Sequence, residues 1–274
     1  MSNQCSDLFD EVVKSVRCNI EETDLKYEKD PCSDNYVGYF DAEIENENKN
    51  GKLRFLPELR ERYGSENHLT NKKLKNITED EKKIIVIVLE SPHVQEYEVD
   101  KYSIAPAPAL GLTGQNLNDY FIDLIRGEID EGNYHVILMN AVQYQCSLGV
   151  NTKRFRDRIF LSMWSEKTIR DDFTKRLKKY KPDIIINLCT KGSHQLDLLA
   201  PPKSKTVINE TYLKSINDEH KYFDGITNTT LQKEIQYCIN KCYQERSMKV
   251  TKFSGSHPSC WNMKKHRNIV KMDK

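Results

Sequence analysis

The spacing of apolar residues changes character at about residue 83. Upstream, Leu8, Phe9, Val12, Val13 and Val16 recur at helical spacing behind Ser6, a good N-cap residue, which predicts a short amphipathic helix. Residues 22 to 80 are polar and broken by Pro31, Asn46 to Gly51 and Pro57, with Tyr36 to Phe40 and Leu53 to Leu59 as apolar anchors. Residues 1–80 are therefore expected to form an accessory, partly helical segment beside a main domain at 81–274. From Lys83 the texture alternates. Ile84 to Leu89 is a continuous run rich in β-branched residues, the pattern of a strand covered on both faces. Val136 to Met139 and Ile184 to Ile186 with Leu188 repeat it, and Val250 to Phe253 is a weaker fourth run. Between these runs Leu117, Tyr120, Phe121, Leu124 and Ile125 share one helix face, and Ile169, Phe173 and Leu177 share another. Strands alternating with helices predict the α/β class, with a parallel sheet covered by helices on both sides. Residues 210–245, ending in a helix that aligns Leu231, Ile235, Cys238 and Cys242, read as an insertion before the last strand.

Composition narrows the function classes. With 274 residues and 38% apolar content the chain can bury a core, which excludes a wholly disordered protein. No apolar run approaches the roughly 18 to 20 residues of a membrane span. The start, Met1 to Asp7, lacks the basic-then-apolar order of a secretory signal, so a cytoplasmic protein with no membrane partner is expected. The 8 cysteines contain no Cys-x-x-Cys, and a reducing compartment favours free thiols over disulfides. Cys238 and Cys242 stand one helical turn apart without a second ligand pair, so neither metal nor cofactor is expected. Lysine and arginine number 42 against 41 acidic residues, so net charge names no partner. Its distribution says more. Lys153, Arg154, Arg156, Arg158, Lys175, Arg176, Lys178, Lys179 and Lys181 cluster mid-chain, and Lys264, Lys265, His266 and Arg267 cluster near the end. Such clusters form either a phosphate-binding face or ordinary solvated helix faces.

In an open parallel sheet the site lies beyond the carboxyl ends of the strands. The residues there are Glu90-Ser91-Pro92-His93, Asn140-Ala141-Val142-Gln143, Cys189-Thr190-Lys191-Gly192-Ser193-His194, and Ser254 to Ser259 with His257 inside. An acid, an amide and an imidazole would meet in one crevice, without a metal triad, a P-loop or a serine nucleophile elbow.

These strand ends, with Gly111-Leu-Thr-Gly114 opening the helix after the first and His257-Pro258-Ser259 closing the last, resemble the uracil-DNA glycosylase superfamily over roughly residues 83–262. The resemblance implies a three-layer fold with a four-stranded parallel sheet flanked by helices. It also departs from the family. Aligned on the proline, Ser91 stands at the water-activating Asp and His93 at the Tyr that closes the pocket, with Glu90 one residue earlier, where some branches carry Glu. The aromatic that stacks on uracil falls on Gly114. A pocket without ring or gate would be roomier, which implies a changed substrate.

Breaking an N-glycosidic bond develops positive charge on the deoxyribose and negative charge on the departing base. The resemblance makes Glu90 the catalytic acid near the sugar, orienting water, and His257 the catalytic donor to the base O2. Asn140, Ser91, His93 and Gly114 would bind the base. Trp261 would be the wedge that replaces the extruded base, while Lys264, Lys265 and Arg267 grip phosphates and Pro258, Ser259, Lys191 and Ser193 face the DNA. Plainer roles compete: Glu90 as a surface acid, His257 as a turn cap, Asn140 as a turn former, Trp261 as core, Gly114 as a helix start. The expected function is a monofunctional DNA glycosylase, acting as a monomer on duplex DNA with a flipped base. It would excise a bulky, non-uracil pyrimidine and serve anti-phage defence. Conventional uracil repair and a DNA-reading module without cutting are the alternatives.

Overall fold

The computed structural model describes residues 2–17, 27–42, 75, 82–97, 106–149, 152–192, 230–244 and 250–272. Among them, β1 (Asn35–Asp41), β2 (Lys83–Leu89), β3 (Asn133–Asn140), β4 (Ile184–Asn187), β5 (Thr251–Gly255) and β6 (Ile269–Lys271) form one sheet in the order β1-β3-β2-β4-β5-β6. The expected four-stranded parallel sheet is thus corrected to a six-stranded mixed one. Its central strands β3, β2, β4 and β5 run parallel, and β1 and β6 close the edges antiparallel. The helices are α1 (Ser2–Arg17), α2 (Leu112–Ile125), α3 (Thr152–Ser165), α4 (Lys167–Tyr180) and α5 (Leu231–Gln244).

Strand β2 explains the layering. Its side chains alternate faces, and both faces are buried. Ile84, Val86 and Val88 pack with Phe155, Ile159, Phe173, Leu177, Ile235 and Ile239 of α3, α4 and α5, and with Phe9 and Val13 of α1. Ile85, Ile87 and Leu89 point the other way, into a cluster holding Leu117, Phe121 and Ile125 of α2, Phe253 and Trp261. Each such side chain contributes about 1.5–3 kcal/mol on leaving water, so the β-branched run selects the middle of a three-layer stack.

The chain steps from β2 through α2 to β3 on one side, then through α3 and α4 to β4 on the other side of β2. This reversal between β3 and β4 opens a crevice at their carboxyl ends.

Three expectations are adjusted. Residues 1–80 are not merely accessory, because Phe9 and Val13 are fully buried and β1 extends the sheet beside β3. Helix α1 begins at Ser2, so Ser6 lies inside it and does not cap it. Helix α5 is the crossover between β4 and β5, with Leu231, Ile235 and Ile239 fully buried, not the end of an insertion. Residues 210–229 and the Leu53 to Leu59 anchor lie outside the described residues. No helix among the described residues is long and apolar enough to cross a membrane.

Candidate functional site

A cleft of about 270 Å³ opens where the sheet order reverses, lined by the residues after β2, the turn before α2, Thr190 after β4 and the loop after β5. A larger hollow of about 320 Å³ lies between α4 and α5. It is lined by side chains of Trp164 and of those two helices, with none of the strand-end groups, and so is set aside.

Glu90 is the centre of the cleft. It is 4% exposed, and Oε2 accepts a hydrogen bond from the Thr190 amide at 3.1 Å, across the ends of β2 and β4. His257 reaches the same oxygen from β5, with Nε2 at 3.4 Å, while Arg156 of α3 approaches Oε1 at 3.8 Å. The tautomer of His257 follows from its other nitrogen. Nδ1 accepts from the Ser259 amide at 3.3 Å and lies 2.8 Å from Ser259 Oγ, so the proton of the neutral ring is on Nε2, the nitrogen nearer Glu90. Burial lowers the His257 pKa below its ordinary 6.5; Glu90 opposes that shift and Arg156 adds to it. Arg156 is held in turn by Asp157, whose Oδ1 accepts from Nε at 2.9 Å. Burial works against its charge, but Glu90 and Asp157 outweigh burial and raise its pKa.

The backbone around this cluster is tightly set. Asn116 Nδ2 donates to the Pro258 carbonyl at 2.7 Å, tying α2 to the His257 loop. A Cβ on Gly255 would stand 2.3 Å from the Asn268 carbonyl oxygen, so only glycine lets β6 close over the end of β5 here. Beneath the end of β3, Arg176 of α4 donates to the carbonyls of Asn140 and Ala141 at 3.1 Å and pairs with Asp34 and Asp172 at 2.9 and 2.7 Å.

Of the residues singled out in the sequence, Glu90, Ser91, His93, His257 and Ser259 line the cleft. Asn140 does not. It is fully buried below, with Nδ2 donating to Glu96 Oε2 at 3.5 Å and to Cys32 Sγ at 3.8 Å, so that Glu96 presents the polar edge in its place. Gly114 is buried in the first turn of α2, off the cleft, where Gly111, Leu112 and Thr113 form the wall; the expected pocket enlargement at Gly114 is corrected accordingly. Trp261 is fully buried, its Nε1 donating to the Ser256 carbonyl at 2.9 Å, so the plainer core role is the one observed and the ring offers no wedge. Arg267 is also committed inward, donating to the Trp261 and Asn262 carbonyls and lying 3.7 Å above the Tyr120 ring. It is therefore corrected from a phosphate grip to a brace. Pro258 is buried, Lys191, Lys264 and Lys265 are exposed, and Ser193 lies outside the described residues.

Sequence reasoning missed Arg156, Glu96 and Ser147 as cleft residues. Arg156 was legible only as one member of a basic run, although Phe155, Ile159 and Phe160 beside it have helical spacing. Nothing local marks Ser147 or Glu96. The described cysteines are free thiols; burial pushes Cys146 up to about 12 and Cys189 well above its ordinary value, which removes both as thiolate nucleophiles. Among the described residues no three His, Cys, Asp or Glu side chains are grouped to hold a metal ion. No family model, curated protein or solved structure matches this chain.

Proposed function

We propose that the protein is a monofunctional DNA glycosylase that flips out and hydrolytically excises a bulky, non-uracil pyrimidine, leaving an abasic site, in defence against phage DNA carrying modified bases. The observation that carries this reading is Glu90, a buried carboxylate at the reversal point of the sheet, oriented by the Thr190 amide and His257 at the edge of an open cleft. A carboxylate so placed faces developing positive charge at the sugar C1′ and accepts a proton from water as the water oxygen bonds to C1′ and the C1′–N bond breaks. The electron pair of that bond leaves with the base.

Support for a large base comes from the lining. Among the described residues no Phe, Tyr or Trp side chain lines the cleft, and Ser91 and His93 occupy the positions after β2. An aromatic gate against the edge of the base would restrict the pocket to an unsubstituted pyrimidine; polar side chains leave space and hydrogen-bonding groups for a substituent. The exposed Lys264 and Lys265, in the segment that follows the cleft loop, suit contacts with phosphates flanking an extruded nucleotide.

The test is incubation of the protein with phage genomes carrying substituted cytosines and with synthetic duplexes containing uracil, followed by mass spectrometry of released bases. Release of a modified pyrimidine with abasic sites in the DNA is expected. Glu90→Gln should bind the same DNA and lose about 10²- to 10³-fold in rate, the size of one lost electrostatic stabiliser. Release of uracil alone overturns the substrate, and tight binding without abasic product overturns the enzyme.

A further inference from the structure

The departing base needs a hydrogen-bond donor, and His257 is badly placed to be it. Its Nε2 lies 3.4 Å from Glu90 Oε2 and its Nδ1 is an acceptor for Ser259. A histidine fixed in this way orients the acid. The cleft contains other donors. Arg156 uses Nε on Asp157, but Nη1 is 3.8 Å from Glu90 Oε1, beyond hydrogen-bond length, and neither Nη has a hydrogen-bond partner among the described residues. Its side chain is 16% exposed and lines the cleft, so these donors face the space a ligand would fill. Ser147 Oγ, in the turn before α3 and on the same cleft lining, is buried and has no hydrogen-bond partner among the described residues. Buried polar groups without partners are uncommon and costly. A ligand atom that accepts from Ser147 removes that cost.

We propose that Arg156, seconded by Ser147, receives the negative charge of the departing base at its carbonyl oxygen, and that His257 is a positioning residue for Glu90. The proposal rests on the glycosylase reading. It follows from charge as well as geometry. A guanidinium 3.8 Å from the carboxylate that faces the sugar would oppose a nascent sugar cation unless an anion formed in the same step, and the electron pair leaving with the base supplies that anion. Phosphate is the weaker candidate, because the Arg156 guanidinium sits 3.8 Å from the buried Glu90 carboxylate, whereas the backbone of an extruded nucleotide stays at the mouth. Planar N–H donors match a carbonyl oxygen and need not be lost when the base is neutral, so the interaction strengthens as the bond breaks.

Two measurements on the full-length protein test this. In the first, excision is followed across a series of 5-substituted pyrimidines of increasing leaving ability. Arg156→Gln should lose about 10²- to 10³-fold on the poorest leaving base and much less on the best, Ser147→Ala should show the same trend more weakly, and His257→Ala should lose alike across the series. Arg156→Lys, which retains charge without the planar fork, should recover part of the rate and guards against a folding defect in the Gln variant. Uniform loss in Arg156→Gln, or a leaving-group trend in His257→Ala, overturns the assignment. The second measurement needs no turnover: binding of free 5-nitrouracil is compared in its neutral and anionic forms. The wild type should prefer the anion at least tenfold, His257→Ala should keep that preference and Arg156→Gln should lose it. No preference in the wild type overturns the assignment. If no DNA yields a free base yet the anion preference follows Arg156, the glycosylase reading fails while the anion subsite stands.

Discussion

Two largely covered arginines on consecutive helices, 16% and 13% exposed, face opposite fates. Arg176 on α4 donates to Asp34, Asp172 and the carbonyls of Asn140 and Ala141, while the same Asp34 also accepts from Tyr180 Oη at 2.5 Å and from Gln143 Nε2 at 3.2 Å. Burial works against its charge, and Asp34 and Asp172 outweigh burial and raise its pKa. Arg156 on α3 is held through one nitrogen and leaves its outer nitrogens turned to a cleft. The contrast separates a group that completes the fold from one that waits for a ligand, because a folded chain satisfies its buried donors wherever function does not require them open. The Arg176 network locks the end of β3 and so holds one side of the crevice in place. The Arg156 cluster uses that rigidity.

The largest expected effect breaks the satisfied side. Asp34→Ala leaves Arg176 buried beside Asp172 alone, and should destabilise the protein by about 3–5 kcal/mol in denaturant unfolding. Arg156→Gln should cost less in the same measurement, because it removes one close pair, with Asp157 at 2.9 Å, and a long contact with Glu90, whereas Asp34 accepts from Arg176, Tyr180 and Gln143 together. If the two losses are equal, the distinction between the arginines is false. Next comes the backbone that carries His257. Gly255→Ala forces the Asn268 carbonyl aside and should cost about 1–3 kcal/mol, with a parallel loss of excision rate as the His257 loop moves.

A smaller effect sharpens the comparison through pH. His257 is neutral in the fold with a pKa below 6.5, so the unfolded chain binds the proton more readily. The stability it contributes is complete above pH 6.5 and is lost as pH falls through the depressed folded value. Melting temperature should therefore drop on acidification through this window, and His257→Gln should remove that component. A melting profile that is unchanged by the substitution would place the charge response elsewhere. The smallest effect concerns the exposed surface. Charge reversal at Lys264 and Lys265 should leave stability within about 0.5 kcal/mol and flatten the salt dependence of DNA binding. Retention of the full salt slope would move the DNA to another face.

The elements that were legible have a common cause. Strands β2, β3 and β4 are buried on both faces, so their sequence must be a continuous apolar run wherever they sit. Helices α2 and α4 carry a periodic face that only one orientation can bury. Edge strands lack this constraint. In β6 only Ile269 of three residues is buried, and β1 is interrupted by an irregularity between Tyr36 and Gly38, so neither leaves a readable period. Helix α3 was hidden because its basic residues dominate the count, although Phe155, Ile159, Phe160 and Met163 are its buried side.

The candidate site divides along the same line. Glu90, Ser91, His93, Thr190, His257 and Ser259 are close to strand ends, and topology alone obliges parallel strand ends to converge, so the sequence by itself determined that these groups share a crevice. Tertiary structure decided everything that depends on contacts between distant segments. Asp34 meets Arg176 across 142 positions, Cys32 meets Glu96 across 64, and no local pattern encodes either pairing. Tertiary structure also decided the direction of side chains whose type is ambiguous. Trp261 suits a wedge or a core equally by composition, and the space between α2 and the sheet drew it inward, where its ring leaves water and its N–H finds the Ser256 carbonyl. Arg156 suits a surface or a cleft, and the acids of Glu90 and Asp157 drew it in, because a buried cation is tolerable only where carboxylates compensate its desolvation.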